Sequence, residues 1–163
     1  MNNKANPQVA VLDTSFLIRL LKKDDPLHQS ALDFFQYLLS HEFILYVSTV
    51  ALAEYCVKGA LDEIPFDNLR VIPFNIDHSP IAGKYAASLF EARAKGSYKP
   101  EHRLVIPNDT KIFAQAAKLK AVYIVTADSK SSSAVDVLTN LNQFSVKLLD
   151  IHQSIQESFG TFF

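Results

Sequence analysis

The sequence predicts an α/β fold: a mostly parallel sheet of four or five strands with helices on both faces. Three observations lead there. Short apolar runs, several of them β-branched, alternate four or five times with stretches of helical periodicity. These runs are apolar almost throughout rather than at every second residue, as strands covered on both faces are. The chain has 163 residues, 48% hydrophobic and 20% charged, which is enough for one sizeable core. A single domain over residues 1–163 is therefore expected, with the polar residues 1–8 as a flexible N-terminal segment.

The elements follow in order. Val9 to Leu12 is a short apolar strand ending at Asp13. Thr14 or Ser15 is placed to cap a helix with Phe16, Leu17, Leu20 and Leu21 on its apolar face. Lys22 to Pro26 breaks it, and Pro26 suits the start of a second helix through Leu27, Ala31, Phe34, Phe35 and Leu38. Phe43 to Ser48 is the second strand, followed by a short helix capped by Thr49 and carrying Val50, Ala53, Glu54 and Val57, with Gly59 as its stop. After a mixed stretch, RVIPF is the third strand. Pro80 to Lys95 is a helix with Ile81, Tyr85, Leu89 and Ala92 along one side, ending at Gly96. Ser97 to Pro107 reads as loop, and Asn108 or Asp109 opens the next helix. VYIVT is the clearest strand. A serine-rich turn, a helix around Val135 and Leu138, the strand FSVKLLD and a helical tail complete the chain.

Composition excludes several classes. One cysteine, Cys56, makes neither an internal disulfide nor a zinc cluster, and it is expected as a small buried thiol in a reducing compartment. The N-terminus lacks the apolar region of a signal peptide, and no apolar stretch approaches the ~20 residues of a membrane span, so the cytoplasm is the expected location. There is no GxGxxG after the first strand and no GxxxxGKS/T, which argues against dinucleotide and P-loop sites. A receiver domain or a DxD phosphatase would carry a second acid near Asp13, where Thr14 and Ser15 stand instead. The five histidines are scattered without ligand spacing, and no GxSxG marks a serine hydrolase.

What remains is a set of carboxylates. In open α/β sheets, ligands bind outside the carboxyl ends of the strands. Asp13 ends the first strand, Glu54 lies on the helix after the second, Asp109 opens a helix, and Asp128 follows VYIVT. Each alone has an ordinary explanation as a cap, a turn residue or a solvated helix residue. Gathered on one rim, the four would repel one another unless a cation neutralised them, and Mg²⁺ or Mn²⁺ prefers oxygen ligands.

The order VLDTSFLIRLL, STVALAEY, NDTKIFAQAAKL, VYIVTADSK resembles a PIN-domain ribonuclease, and most nearly the VapC-like toxins of bacterial and archaeal toxin–antitoxin pairs. The resemblance spans nearly the whole chain. It implies that Asp13, Glu54, Asp109 and Asp128 are the catalytic acidic quartet. Ser15 matches the small polar residue two places after the first Asp, and Thr126 the threonine before the last acidic position. Two departures stand out: DSKSSS lacks the Phe often found after the last Asp, and the 96–107 stretch is longer than in compact toxins.

The implied chemistry is metal-dependent hydrolysis of an RNA phosphodiester. Asp13, Asp109 and Asp128 are expected as metal ligands, Glu54 as a ligand or as the group orienting the attacking water, and Ser15 and Thr126 as hydrogen-bond partners of the ligands. Half of the basic residues fall between Lys84 and Lys120, eight against three acids. Within that segment Lys99 and Arg103, with Tyr98 and His102 nearby, are expected as an RNA track, whereas Lys118 and Lys120 belong to a solvated helix face. Resemblance to the family also implies a homodimer and, for a toxin, a small antitoxin covering the acidic rim. DFFQYLL and the terminal FGTFF pack inward by default, and a terminal FF left exposed would suggest a partner contact. The alternative is a PIN-like RNA- or protein-binding module without nuclease activity.

Overall fold

A computed structural model describes residues 6–100 and 105–160, with Val105 as backbone only. Arg103, His102 and the last two phenylalanines lie outside the described residues, and the expectations placed on them lie there too.

The strands are β1 (Val9–Leu12), β2 (Ile44–Ser48), β3 (Arg70–Ile72), β4 (Tyr123–Thr126) and β5 (Lys147–Asp150). They form one sheet in the order β3-β2-β1-β4-β5, and all four pairings are parallel. The helices are α1 (Thr14–Leu21), α2 (His28–Ser40), α3 (Thr49–Tyr55), α4 (Ser79–Ala94), α5 (Val105–Lys118), α6 (Ser131–Asn140) and α7 (Ile155–Phe159). Packing groups α1 with α2, and α2 with α7; on the other side α4 meets α5 and α6, while α3 touches both α1 and α5. The expected α/β architecture is present, with five strands.

Its driving force is visible in β1, where Ala10, Val11 and Leu12 are fully buried. A central strand covered on both faces has no polar side to show, hence the unbroken apolar run. Phe16, Leu17, Phe34 and Leu38 seal one side of the core, and Leu89, Ile106 and Leu138, also fully buried, come from helices of the other group. Among the described residues no helix is long and apolar enough to cross a membrane.

Register matters for function. Leu12 lies opposite Val47 on one side and Val125 on the other, and Thr126 lies opposite Asp150. The strand ends therefore share one edge. Chain connections run outward in opposite directions from β1 and β4, so the crevice at their carboxyl ends is the topological switch point.

Several local expectations are corrected. Neither Thr14 nor Ser15 caps α1: Asp13 occupies the cap position and makes no side-chain cap bond, because its carboxylate is engaged elsewhere. Ser48, not Thr49, caps α3 and accepts from the Val50 N–H at 3.0 Å; Thr49 Oγ1 instead accepts from the Phe74 N–H at 3.1 Å. Pro26 lies in the turn before α2, which begins at His28. Helix α5 begins at Val105, so Asp109 sits one turn inside it; Pro107 is tolerated in that first turn, where an N–H has no helical acceptor. Cys56 is exposed, because the chain turns away from the core as α3 ends at Tyr55.

Gly96 and Gly59 each answer a local constraint. Gly96 ends α4 with φ +75°, a conformation that costs a residue with a Cβ more. Gly59 lies beneath the Tyr55 ring, where an added Cβ would come within 2.4 Å of the ring carbons.

Candidate active site

The site is assembled from the turns that leave β1, β2 and β4, together with one flank of α5. Asp13 is anchored first by its backbone, whose N–H donates to the Val125 carbonyl at 3.0 Å and ties the end of β1 to β4. Its Oδ2 is reached by two hydroxyls, Ser15 Oγ at 2.7 Å and Thr126 Oγ1 at 3.0 Å. Those two oxygens stand 3.1 Å apart. Each hydroxyl carries one hydrogen, so with both given to the carboxylate the third approach is a contact, not a bond. The same oxygens also accept: Ser15 Oγ from the Ala127 N–H at 2.9 Å, and Thr126 Oγ1 from the Asp128 N–H at 3.0 Å. The result is a small lattice that fixes the β1–α1 turn against the β4–α6 turn.

Asp128 shapes the start of α6. Its Oδ1 accepts from the Lys130 N–H at 2.9 Å and its Oδ2 from Ser131 Oγ at 3.3 Å. This is the turn role that Asp commonly plays, and it also fixes where the carboxylate lies. Glu54, half-buried on α3, accepts from Thr14 Oγ1. Thr14 is the first residue of α1, so Glu54 is drawn toward the helix that follows Asp13.

Electrostatics link the four. Burial pushes the Asp109 carboxyl up to about 8, and the charges of Asp13, Asp128 and Glu54 push the same way. Asp13 is also raised, chiefly by burial; the bonds from Ser15, Thr126 and the Thr14 backbone oppose this, while Asp128 adds to it. Every expected acidic position is thus within electrostatic reach of Asp109. Such a cluster stores repulsion that protons or a cation relieve.

The donors are all oxygen, which suits a hard divalent ion. Among the described residues no three His, Cys, Asp or Glu side chains close into a cage. An open set fits Mg²⁺, which is usually held by one or two carboxylates and keeps several waters.

Surroundings extend the site on two sides. A recess beside Asp109 and Asp128 is lined by Tyr98, Lys99, Pro100 and Lys130. Lys99 is exposed at its edge, where the sequence expectation put a cation; Lys118 and Lys120 are solvated as expected. Tyr98 corrects the expectation of an exposed aromatic: it is only 5% exposed. Burial raises its phenol, with Asp109 and Asp128 adding to the shift. On the other side a mostly apolar groove of about 680 Å³ runs past Ile18, Leu21, Tyr55 and Val57 and reaches the site at Glu54.

Sequence reasoning missed Thr14 and Ser131 as site residues. Thr14 carries only a capping signal, and its bond spans forty positions. Ser131 has a visible clue, three residues after Asp128 in a serine run.

The PIN domain family model matches residues 10–138 of the chain. The protein belongs to the PIN domain family. No curated protein sequence matches it. Its fold is similar to that in the crystal structure of VapBC2 from Rickettsia felis bound to a DNA fragment from their promoter, with TM-score 0.55 and 18% identity, covering 88% of this chain and 100% of that one. It is similar to Mycobacterium tuberculosis VapC20, described as a Sarcin-Ricin loop cleaving toxin, with TM-score 0.55 and 18% identity, covering 77% of this chain and 94% of that one. DNA-bound VapBC from Salmonella typhimurium gives TM-score 0.53 and 17% identity, covering 88% and 98%. At these identities the likeness concerns the PIN fold alone.

Proposed function

We propose that this PIN-domain protein is a metal-dependent endoribonuclease and the toxin of a toxin–antitoxin pair. The observation that carries the proposal is the convergence of four acids from four separate segments, with the Asp109 carboxyl pushed up to about 8 by burial and by the other three. A structural carboxylate is seldom left in that condition; perturbed acids in a crevice at a switch point are typical of functional sites. Membership of the PIN family supports the reading, as does similarity of fold to a toxin described as cleaving the sarcin-ricin loop.

Asp13, Asp109 and Asp128 are the residues that would hold Mg²⁺ or Mn²⁺. When bound, such an ion supplies an acidified water and neutralises charge on a phosphodiester. The protein's own work is orientation. Ser15 and Thr126 fix the Asp13 carboxylate and favour its ionised form. Asp128 is fixed by the turn it makes with Lys130 and Ser131. Glu54, set by Thr14, is the carboxylate that orients the attacking water or accepts its proton. Lys99, beside the acids, contacts substrate phosphate, and Arg103 has the same role. The protein acts in the cytoplasm as a homodimer, and a small antitoxin protein covers the acidic rim. Similarity of fold to two VapBC complexes, both DNA-bound, supports the antitoxin partner.

Incubation of the purified protein with single-stranded RNA in Mg²⁺, in Mn²⁺ and in EDTA, beside Asp109→Asn, tests the reading. Cleavage that requires both metal and Asp109 supports it. Absence of cleavage together with absence of Mn²⁺ binding by calorimetry favours a binding module instead.

A further inference from the structure

We propose that Gln115 is a positioning residue that holds helix α3, and with it Glu54, against helix α5, which carries Asp109. The inference rests on the nuclease reading for its consequence in catalysis, but not for its geometry.

Gln115 has no exposed surface, and neither does Ser48. Both ends of its amide are used. Oε1 accepts from Ser48 Oγ at 2.5 Å, and Nε2 donates to the Ile72 carbonyl at 3.1 Å. Ser48 Oγ in turn accepts from the Val50 N–H, the bond that caps α3. One side chain on α5 therefore clasps the carboxyl ends of β2 and β3 and the first turn of α3.

Packing alone would not call for an amide here. A buried amide costs free energy unless it is fully paired, and an aliphatic side chain would fill the space without that demand. What the amide adds is direction: it fixes the height at which α5 sits against two strand ends. Asp109 lies six residues before Gln115 on the same helix, about 9 Å along its axis. Glu54 lies six residues after Ser48. Helix α3 has only seven residues and ends in an exposed turn, so it has little rigidity of its own. Beyond the packing of buried Ala51 and Leu52, its position is held by the capped Ser48 end, the Phe74 N–H on Thr49 Oγ1 and the bond from Thr14 to Glu54. Gln115 is thus a polar link, added to the direct packing of α3 on α5, through which the Asp109 helix and the Glu54 helix share one frame.

The test uses Gln115→Leu, Ser48→Ala and the pair together. The single Leu variant leaves the Ser48 hydroxyl buried without its acceptor; the pair removes that hydroxyl but also the cap of α3, and so regains only part of the melting temperature. Three readouts accompany melting: Mn²⁺ affinity, single-turnover RNA cleavage, and the distance between spin labels on native Cys56, at the end of α3, and on Lys118→Cys, at the end of α5. Misplacement by 1 Å can cost about 100-fold in rate. The expected result is cleavage lowered at least about tenfold in the pair as well as in Gln115→Leu, with a broadened or shifted label distance. A pair with parental cleavage and parental distances would reduce Gln115 to a packing residue and overturn the proposal. Ser48→Ala alone measures what the lost cap of α3 contributes, and Gln115→Met, closer in size and shape, replaces Gln115→Leu if that variant does not fold. If the unaltered protein cleaves no RNA, the nuclease reading fails, and the label distances still decide whether Gln115 sets α3 against α5.

Discussion

Thr14 donates its hydroxyl hydrogen to Oε2 of Glu54, joining the first residue of α1 to the acid on α3. Replacing Thr14 with Val keeps shape and β-branching but deletes the donor. Bonds to a charged group are worth about 1.5–3 kcal/mol, so the loss of stability falls at the lower end of that range for a half-buried carboxylate. If Glu54 handles the attacking water, kcat falls about tenfold or more, toward the roughly 10²–10⁴ range of general acid–base effects, while KM for RNA stays level. Single-turnover cleavage and thermal melts check this, and a parental kcat would remove Glu54's orientation from the mechanism.

Ser15 and Thr126 act on Asp13 as a pair. Ser15→Ala and Thr126→Val each delete one of two donors to the same Oδ2. Removing a partner of a metal ligand typically costs about 10–100-fold in metal affinity, and each variant is expected to lose about that much Mn²⁺ affinity. The two share an acceptor and touch one another, so the double variant should lose less than the product of the singles. Calorimetric titration of all four proteins measures it. Strict additivity would mean that the two hydroxyls act on Asp13 independently, and no loss in either single variant would reduce them to turn residues.

Asp109 gives the metal-free protein a particular pH dependence. Its carboxyl moves from an ordinary 3.8 in the unfolded chain to about 8 in the folded one. Between those values the folded state binds more protons than the unfolded state, so stability falls as pH rises. Asp13, also raised, has the same sign. In EDTA the protein should melt at a higher temperature at pH 5 than at pH 8. Asp109→Asn should flatten that slope and stabilise the protein at pH 8, and Mn²⁺ should do so for the unaltered chain. A melting temperature in EDTA that rises from pH 5 to pH 8 would contradict the raised carboxyl.

The sequence disclosed the frame of this site more fully than its fastenings. Asp13 and Asp128 are legible because each follows an apolar run that can only be a buried strand, and strand ends share an edge in a parallel sheet. Asp109 reads as a residue that opens a helix rather than one a turn inside it, since Pro107 reads as loop where a first helical turn tolerates it. Tyr98 lies between Ser97 and Lys99, neighbours that suggest exposure; only tertiary packing buries it against the acids. Cys56 shows the reverse, a small apolar residue carried outward where the chain turns. Gln115 stands amid alanines on an apolar face, and nothing local tells that its partners are Ser48 and Ile72. Local pattern reports periodicity and termini. It does not report hydrogen bonds that span 67 positions, as that of Ser48 and Gln115 does.

Lys99 and Lys118 form a matched pair for testing the RNA track. Both are exposed, but Lys99 lines the recess that holds Asp109 and Asp128, while Lys118 ends α5 on a solvated face. A lysine that neutralises a phosphate displaces counterions from the nucleic acid, so its removal weakens binding and reduces the salt dependence together. For single strands the slope of log K against log salt should fall by about 0.7 for each phosphate that is no longer neutralised. Lys99→Gln is therefore expected to weaken RNA binding and lower that slope, with cleavage at saturating RNA little changed. Lys118→Gln should leave both affinity and slope near parental. Fluorescence anisotropy with labelled single-stranded RNA in EDTA, over a range of salt, separates the two. Equal effects of both variants would mean that net charge, not a lysine seated beside the acids, draws the RNA.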